Sequence, residues 1–168
     1  MPGSGKTTAL KPFAEANGYV YISPDDIRAE VSGDASIQVD MRQVWDLVHE
    51  RTKDALMRGE NVVVDATFVK DRERKKFIEF ARENGATKVQ GVFADVSYEV
   101  ASERNKERER VVPEHAMERM NRFLVGNEPT VEDGFDSVFS INEFQELEKA
   151  EASIEGKVAT REFKQKFG

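Results

Sequence analysis

The sequence contains no cysteine, so its 168 residues can form neither disulfide bonds nor a cysteine-ligated zinc site. It also lacks an apolar run long enough to cross a bilayer and a recognisable signal peptide, so we expect a cytoplasmic protein without a membrane partner. An excess of positive charge is missing too, because the formal net charge is −7. This charge argues against a broad basic surface for long nucleic acid, although it leaves room for a local basic groove.

The strongest motif stands at the start of the chain. Residues 1–8 read MPGSGKTT and match seven of the eight positions of the phosphate-binding P-loop pattern GxxxxGK[ST]. In such a loop, glycines let the backbone approach the phosphates, and successive backbone N–H groups at the start of a helix bind the anion. We therefore predict an ATP site formed by Gly3, Ser4, Gly5, Lys6, Thr7 and Thr8.

Two of these residues have further predicted roles. Lys6 places a positive charge at the outer phosphates, and Thr7 offers its hydroxyl to a magnesium ion. A P-loop normally follows a buried strand, and no residue of the sequence stands ahead of Met1 to form one. We interpret Met1 as an internal methionine, and we expect an apolar stretch ending in glycine just upstream in the gene.

Downstream, short apolar segments alternate with amphipathic ones, which predicts an α/β fold of the P-loop NTPase type. We expect a parallel sheet with helices on both faces and with its first, central strand missing. The predicted strands are 19–22, 61–65, 88–94 and 137–141, and the predicted helices include 7–17, 37–58, 71–84, 97–108 and 113–124. Residues 1–141 would form the kinase domain, and residues 142–168 a helical tail that either docks or frays.

Candidate chemistry lies where the predicted strands end, because ligands of such sheets bind at the carboxyl ends of the strands. Asp25 could orient an acceptor hydroxyl, or it could cap the next helix. Arg28 could grip an acceptor phosphate, or it could be a surface arginine paired with Asp25. Asp65 is a candidate magnesium ligand that could instead cap a loop, and Thr67 is a neighbouring polar contact.

Basic residues are concentrated in two places. Residues 104–110 hold four cations, and Arg104 and Arg108 share a helix face. They could belong to a lid over residues 104–112 that closes on the triphosphate, or to a solvated helix with interleaved glutamates. The second cluster is more simply a solvated face, although it could line an acceptor groove, and it comprises Lys70, Arg72, Arg74, Lys75 and Lys76.

Taken in order, these motifs resemble the polynucleotide kinase-like group of P-loop kinases, which includes zeta-toxin-like relatives. The resemblance runs from residue 1 to about residue 141. It rests on PGSGKTT at 2–8, ISPDDIR at 22–28, VVVDAT at 62–67, RNKER at 104–108 before VP at 112–113, and GFD at 134–136. Three departures from the group are the absent opening strand, Phe68 where many members have asparagine, and the absence of a following phosphatase domain.

The resemblance implies an ATP- and magnesium-dependent kinase that acts on a hydroxyl. It makes Asp25 the general base, Arg28 a contact of the acceptor phosphate, and Arg104 and Arg108 the lid arginines, with Arg110 as the alternative to Arg108. We expect catalysis to depend on Lys6, Asp25 and Arg108.

Three functions stay open at this point. The first is a kinase of polynucleotide 5′-hydroxyl ends. The second is a kinase of a small metabolite, nucleoside or sugar nucleotide. The third is an inactive ATP-binding fragment.

Overall fold

The computed structural model describes residues 1–33, 39–108 and 111–151. Within these ranges, short strands alternate with helices, as the sequence predicts. The strands are β1 (Val20–Ile22), β2 (Val62–Val64), β3 (Gln90–Phe93) and β4 (Ser137–Ser140). The helices are α1 (Lys6–Asn17), α2 (Pro24–Ser32), α3 (Met41–Met57), α4 (Asp71–Glu83), α5 (Tyr98–Lys106) and α6 (Glu114–Leu124). A 3-10 turn covers Val131–Asp133, and residues 141–151 are helical.

The described strands form two parallel pairs. β1 pairs with β2, with Val20 opposite Val62, and β3 pairs with β4, with Gln90 opposite Ser137. The prediction of an α/β fold with parallel strands and flanking helices is confirmed. The strands do not join into one continuous sheet, because nothing among the described residues pairs β2 with β3.

Side chains of the first strand pair alternate between two helical layers. Val20, Ile22, Val62 and Val64 pack with the buried core of α2 and α3, which is formed by Ile27, Val44 and Val48. Burying each of these aliphatic side chains contributes about 1.5–3 kcal/mol. Tyr21 faces the other way, towards α1, where the Nζ of Lys11 lies 5.6 Å from its ring centre. The alternation thus directs Tyr21 to the side of the sheet that carries the P-loop.

A cavity of about 1380 Å³ separates the two strand pairs. Residues of β2 and β3 line this cavity, together with Leu10 and Phe13 of α1 and Ile78 of α4. Met1 also lines this cavity, so the cavity reaches the phosphate-binding loop.

One residue of the predicted solvated basic face is buried. Only 3% of the Arg74 side chain is exposed, so the prediction is wrong for this residue. Its Nε donates to Asp133 at 2.6 Å, and its Nη2 donates to Asn127 at 3.2 Å. A partner 59 residues away along the chain therefore overrides the local pattern.

The end of the chain is helical as far as it is described. Phe144 packs edge-on against Phe13, with ring centres 4.9 Å apart, so this segment docks on α1. The remainder of the predicted tail, residues 152–168, lies outside the described residues, as do residues 34–38, which include the start of the predicted helix 37–58. Among the helices that the structure describes, none combines the length and apolar character needed to traverse a bilayer.

Candidate active site

The P-loop forms a tight turn that leads directly into α1. Gly3 and Gly5 have φ angles of 74° and 87°, in the left-handed region that favours glycine. The turn is closed by Ser4, whose Oγ donates to the carbonyl of Met1 at 2.6 Å. No side chain caps the start of α1, and its first turn carries no acidic residue. The backbone donors at this end are thus left for an anion.

Helix α5 lies directly on this turn. A Cβ atom built on Gly3 would lie 2.2 Å from the carbonyl oxygen of Ala101, so only glycine fits there. A Cβ on Gly5 would lie 3.8 Å from Nη1 of Arg104. The structure therefore places the guanidinium of Arg104 beside the phosphate loop.

Lys6 is hydrogen-bonded within the loop and lies in the field of two carboxylates of the site. Its Nζ donates to the Met1 carbonyl at 3.1 Å and to Ser4 Oγ at 3.3 Å. Burial lowers the pKa of Lys6, while the negative charges of Asp65 and Asp25 oppose that shift and the positive charge of Arg108 adds to it. The predicted catalytic residues Asp25 and Arg108 therefore both lie within electrostatic range of Lys6.

Asp65 is the buried centre of the candidate metal site. Its Oδ2 accepts hydrogen bonds from Thr7 Oγ1 at 2.5 Å and from the Tyr21 hydroxyl at 2.7 Å. A carboxylate beside a hydroxyl is a hard oxygen donor set, which suits Mg²⁺ when nucleotide phosphates supply further ligands. Thr7 and Asp65 therefore fit the ion that the sequence predicts for them.

Tyr21 is a site residue that the sequence analysis missed. Burial raises the pKa of Tyr21, and its hydrogen bond to Asp65 adds to the shift, so the phenol stays protonated and acts as a donor. The alternation of side chains along the strand indicates that Tyr21 faces away from the core that holds Val20 and Ile22. This alternation does not indicate that Tyr21 contacts Asp65, which lies 44 residues later in the chain.

On the acceptor side, Asp25 and Arg28 contact each other. Ser23 is the N-cap of α2, because its Oγ accepts from the backbone N–H of Asp25 at 3.3 Å. The carboxylate of Asp25 therefore does not cap the helix; it accepts a hydrogen bond from Nη2 of Arg28 and is 67% exposed. The neighbouring Asp26 instead pairs with Lys11 at 3.5 Å.

The remaining predicted residues lie at the edges of the site. Thr67 is exposed in the loop after β2, and among the described residues no hydrogen bond joins it to Asp25 or Arg28. Arg108 follows α5, and its backbone N–H donates to the carbonyl of Asn105 at 3.3 Å. Arg110 lies outside the described residues.

Asn105 is a second residue with an unexpected role. It is buried, its Nδ2 donates to the Val112 carbonyl at 2.8 Å, and its Oδ1 accepts from the Val112 N–H at 3.1 Å. These two bonds close the base of the segment that carries Arg108. The sequence pattern showed this asparagine only as part of a basic motif.

A glycine-rich turn entering a helix, with a lysine, a threonine and a strand-end aspartate around it, defines a P-loop domain. The family model described as AAA domain matches residues 1–126, and the chain belongs to this family. It is a P-loop kinase-like domain, of a family that generally uses ATP and Mg²⁺.

Two similar proteins agree with this assignment. A protein of Acanthamoeba polyphaga mimivirus, provisionally named bifunctional polynucleotide phosphatase/kinase, is 27% identical over 108 residues, which are 64% of this chain. The match spans only 22% of the length of that relative. The crystal structure of a gluconokinase from Sinorhizobium meliloti 1021 matches with a TM-score of 0.51 and 23% identity. The match covers 83% of this chain and 77% of the gluconokinase chain, and it supports the fold alone.

Proposed function

We propose that this protein is an ATP- and Mg²⁺-dependent kinase that transfers the γ-phosphoryl group to the 5′-hydroxyl of a polynucleotide. The main support is that two carboxylates, those of Asp65 and Asp25, act electrostatically on Lys6 and differ in their exposure to solvent. Asp65 is buried against Thr7, as a metal ligand would be, while Asp25 is exposed, as a base that meets an incoming acceptor would be. The name of the viral relative supports a polynucleotide acceptor.

Each residue has a defined task in this reaction. The backbone donors of the P-loop and Lys6 bind the phosphates, and Thr7 and Asp65 hold the ion that neutralises them. The acceptor oxygen forms a bond to the γ-phosphorus while the bond to the bridging oxygen breaks and ADP leaves. The acceptor proton passes to the carboxylate of Asp25. Arg104 and Arg108 stabilise the charge on the transferred group.

The contact between Asp25 and Arg28 suits this task. In the proposed complex Arg28 binds a phosphate of the acceptor, and Thr67 provides a further polar contact. Arg28 then exchanges one anionic partner, the Asp25 carboxylate, for another, the phosphate, so the charge of Arg28 stays paired. It also leaves the Asp25 carboxylate available to the hydroxyl.

The proposal is tested by transfer from labelled ATP to an oligonucleotide with a 5′-hydroxyl, with a 5′-phosphorylated oligonucleotide as the negative control. Lys6→Ala should abolish labelling. Asp25→Asn should lower turnover about 10²–10⁴-fold while ATP affinity is kept. Asp26→Asn is the matched control, because Asp26 is paired with Lys11. An equal loss of ATP affinity and turnover in the Asp25 variant would show a structural role instead.

A small hydroxylated acceptor, such as a nucleoside, a sugar nucleotide or another metabolite, is the second candidate. The net charge of −7 favours it, since a polyanionic acceptor is repelled by the overall field of the protein. Labelling of a small acceptor without labelling of the oligonucleotide would select this function. A chain that binds ATP and labels neither acceptor would correspond to the inactive fragment.

A further inference from the structure

The C-terminal end of α6 carries an exposed aromatic ring beside exposed cations. Phe123 is 45% exposed, and the Nζ of Lys70 lies over its ring, 5.5 Å from the ring centre. Arg119 and Arg122 are exposed on the same helix, and Arg119 precedes Phe123 by four residues, so these two side chains share a face. We call Phe123, Lys70, Arg119 and Arg122 the α6 platform. An exposed ring surrounded by positive charge is typical of surfaces that bind single-stranded nucleic acid.

The cations of the α6 platform have no strong partner within the protein. The side chains of Arg119 and Arg122 make neither a hydrogen bond nor an ion pair with any residue that the structure describes. Lys70 pairs with Glu73 at 3.5 Å, but both side chains are about half exposed, and such a surface pair contributes little. Glu118 is exposed four residues before Arg122 without pairing with it. An anionic ligand would therefore meet available positive charge here, although the net charge of the chain is −7.

Hydrogen bonds attach the α6 platform to the loop 66–70, which leads out of the candidate active site after β2. Asn127, just past α6, donates from Nδ2 to the Val69 carbonyl at 3.0 Å. The buried Arg74 donates to the Phe68 carbonyl and to Asn127 Oδ1, in both cases at 3.2 Å. The end of α6 and this loop are therefore held together, so the position of the platform relative to the site is fixed.

The α6 platform lies a few nucleotides away from the predicted acceptor contact. Thr67 stands three residues before Lys70, a span of at most about 11 Å. The backbone N–H of Val69 donates to the Thr67 carbonyl at 3.2 Å, and this turn shortens the span further. A stacked strand advances about 3.4 Å per nucleotide. A base on Phe123 would thus belong to one of the first few nucleotides after the one that meets Thr67.

We propose that the α6 platform binds a flanking nucleotide of a single-stranded polynucleotide acceptor. The base stacks on the ring of Phe123, and Lys70, Arg119 and Arg122 pair with the neighbouring backbone phosphates. Stacking accepts any base, since every base has a π-face. The platform adds affinity for longer acceptors and does not touch the transferred group. This inference rests on the proposed function, because it assumes that the terminal hydroxyl of the same strand lies at Asp25.

The first test measures phosphoryl transfer from labelled ATP to a single-stranded thymidine hexanucleotide and to the dinucleotide, both with a 5′-hydroxyl. Phe123→Leu keeps an apolar side chain but removes the ring, so it should raise the KM for the hexanucleotide about 5–140-fold. The kcat and the KM for the dinucleotide should not change, and Phe123→Trp should restore the low KM. Val125→Ala is the matched control, because Val125 is 72% exposed at the end of the same helix and carries no ring.

A binding measurement separates the α6 platform from the proposed function. The anisotropy of a fluorescent hexanucleotide is followed without ATP. Lys70→Gln should weaken binding and lower the slope of log affinity against log salt by about 0.7, the share of one phosphate contact on a single strand. Lys149→Gln is its control, since Lys149 is 72% exposed and paired with Glu146 on another helix. Binding that depends on Phe123 and Lys70, without any phosphoryl transfer, would support the platform while counting against the proposed function.

Three results would overturn the inference. The first is equal hexanucleotide affinity in the unchanged chain and in Phe123→Leu, or no binding at all; transfer to the oligonucleotide in that case would leave the proposed function standing. The second is an equal rise of the KM for dinucleotide and hexanucleotide, which would place the ring at the terminal nucleotide. The third is a dimer in sedimentation that Phe123→Leu dissociates, which would assign the ring to a second copy of the chain.

Discussion

Substituting Gly3 by alanine tests the contact between the P-loop and α5. The φ of 74° at Gly3 costs an alanine about 1–2 kcal/mol. The new Cβ would also lie 2.2 Å from the Ala101 carbonyl oxygen. Because that oxygen belongs to the backbone of α5, the backbone must shift to relieve the overlap, which costs about 1–3 kcal/mol of stability. The expected loss of unfolding free energy is about 2–5 kcal/mol, a large part of a typical domain stability of about 5–15 kcal/mol.

Gly18→Ala is the matched control, because Gly18 ends the same helix with φ 66° and a Cβ atom added there would meet nothing within 4 Å. It should lose only the conformational part, about 1–2 kcal/mol. Urea denaturation at equilibrium measures both values. Because the clash displaces α5, which carries Arg104, the Gly3 variant should also lose more ATP affinity. Equal destabilisation of the two variants would refute the close contact.

Three further predictions concern other contacts. Tyr21→Phe removes one donor to Asp65 and should raise the Mg²⁺ concentration needed for half-maximal nucleotide binding several-fold, with binding of metal-free ATP unchanged; an unchanged Mg²⁺ requirement would argue against a positioning role. Asp133→Asn leaves the buried Arg74 without its ionic partner and should cost about 3–5 kcal/mol in denaturation, whereas a loss below about 1 kcal/mol would indicate an exposed pair. Asn105→Ala should speed amide exchange at Val112, and unaltered exchange there would show that the two side-chain bonds do not hold this segment.

Local patterns predict the order and type of the elements well. The apolar runs at 61–65 and 88–94 contain β2 and β3, and the amphipathic stretch 71–84 contains α4. These features depend on residues close in sequence, so composition and periodicity reveal them. The P-loop is equally accessible, because its glycines and lysine are adjacent along the chain.

Local sequence patterns do not predict contacts between segments that are distant along the chain. Arg74 lies in a run of charged residues, and only Asp133 and Asn127 explain its burial. The choice of Ser23 over Asp25 as the helix cap is also open in the sequence, since both residue types are favourable caps. Once Ser23 takes that role, the Asp25 carboxylate does not cap the helix and pairs with Arg28 instead. The roles of Asp25, Arg28, Thr67, Arg104 and Arg108 remain predictions.

The separation of the described strands into two pairs has a consequence for cooperativity. Within the part of the chain that the structure describes, no ladder of backbone hydrogen bonds links the half that contains β1 and β2 to the half that contains β3 and β4. Side-chain contacts such as that between Phe13 and Phe144 still link the halves. We expect this link to be weaker than the contacts inside each half, so a calorimeter should record a van't Hoff enthalpy smaller than the calorimetric one.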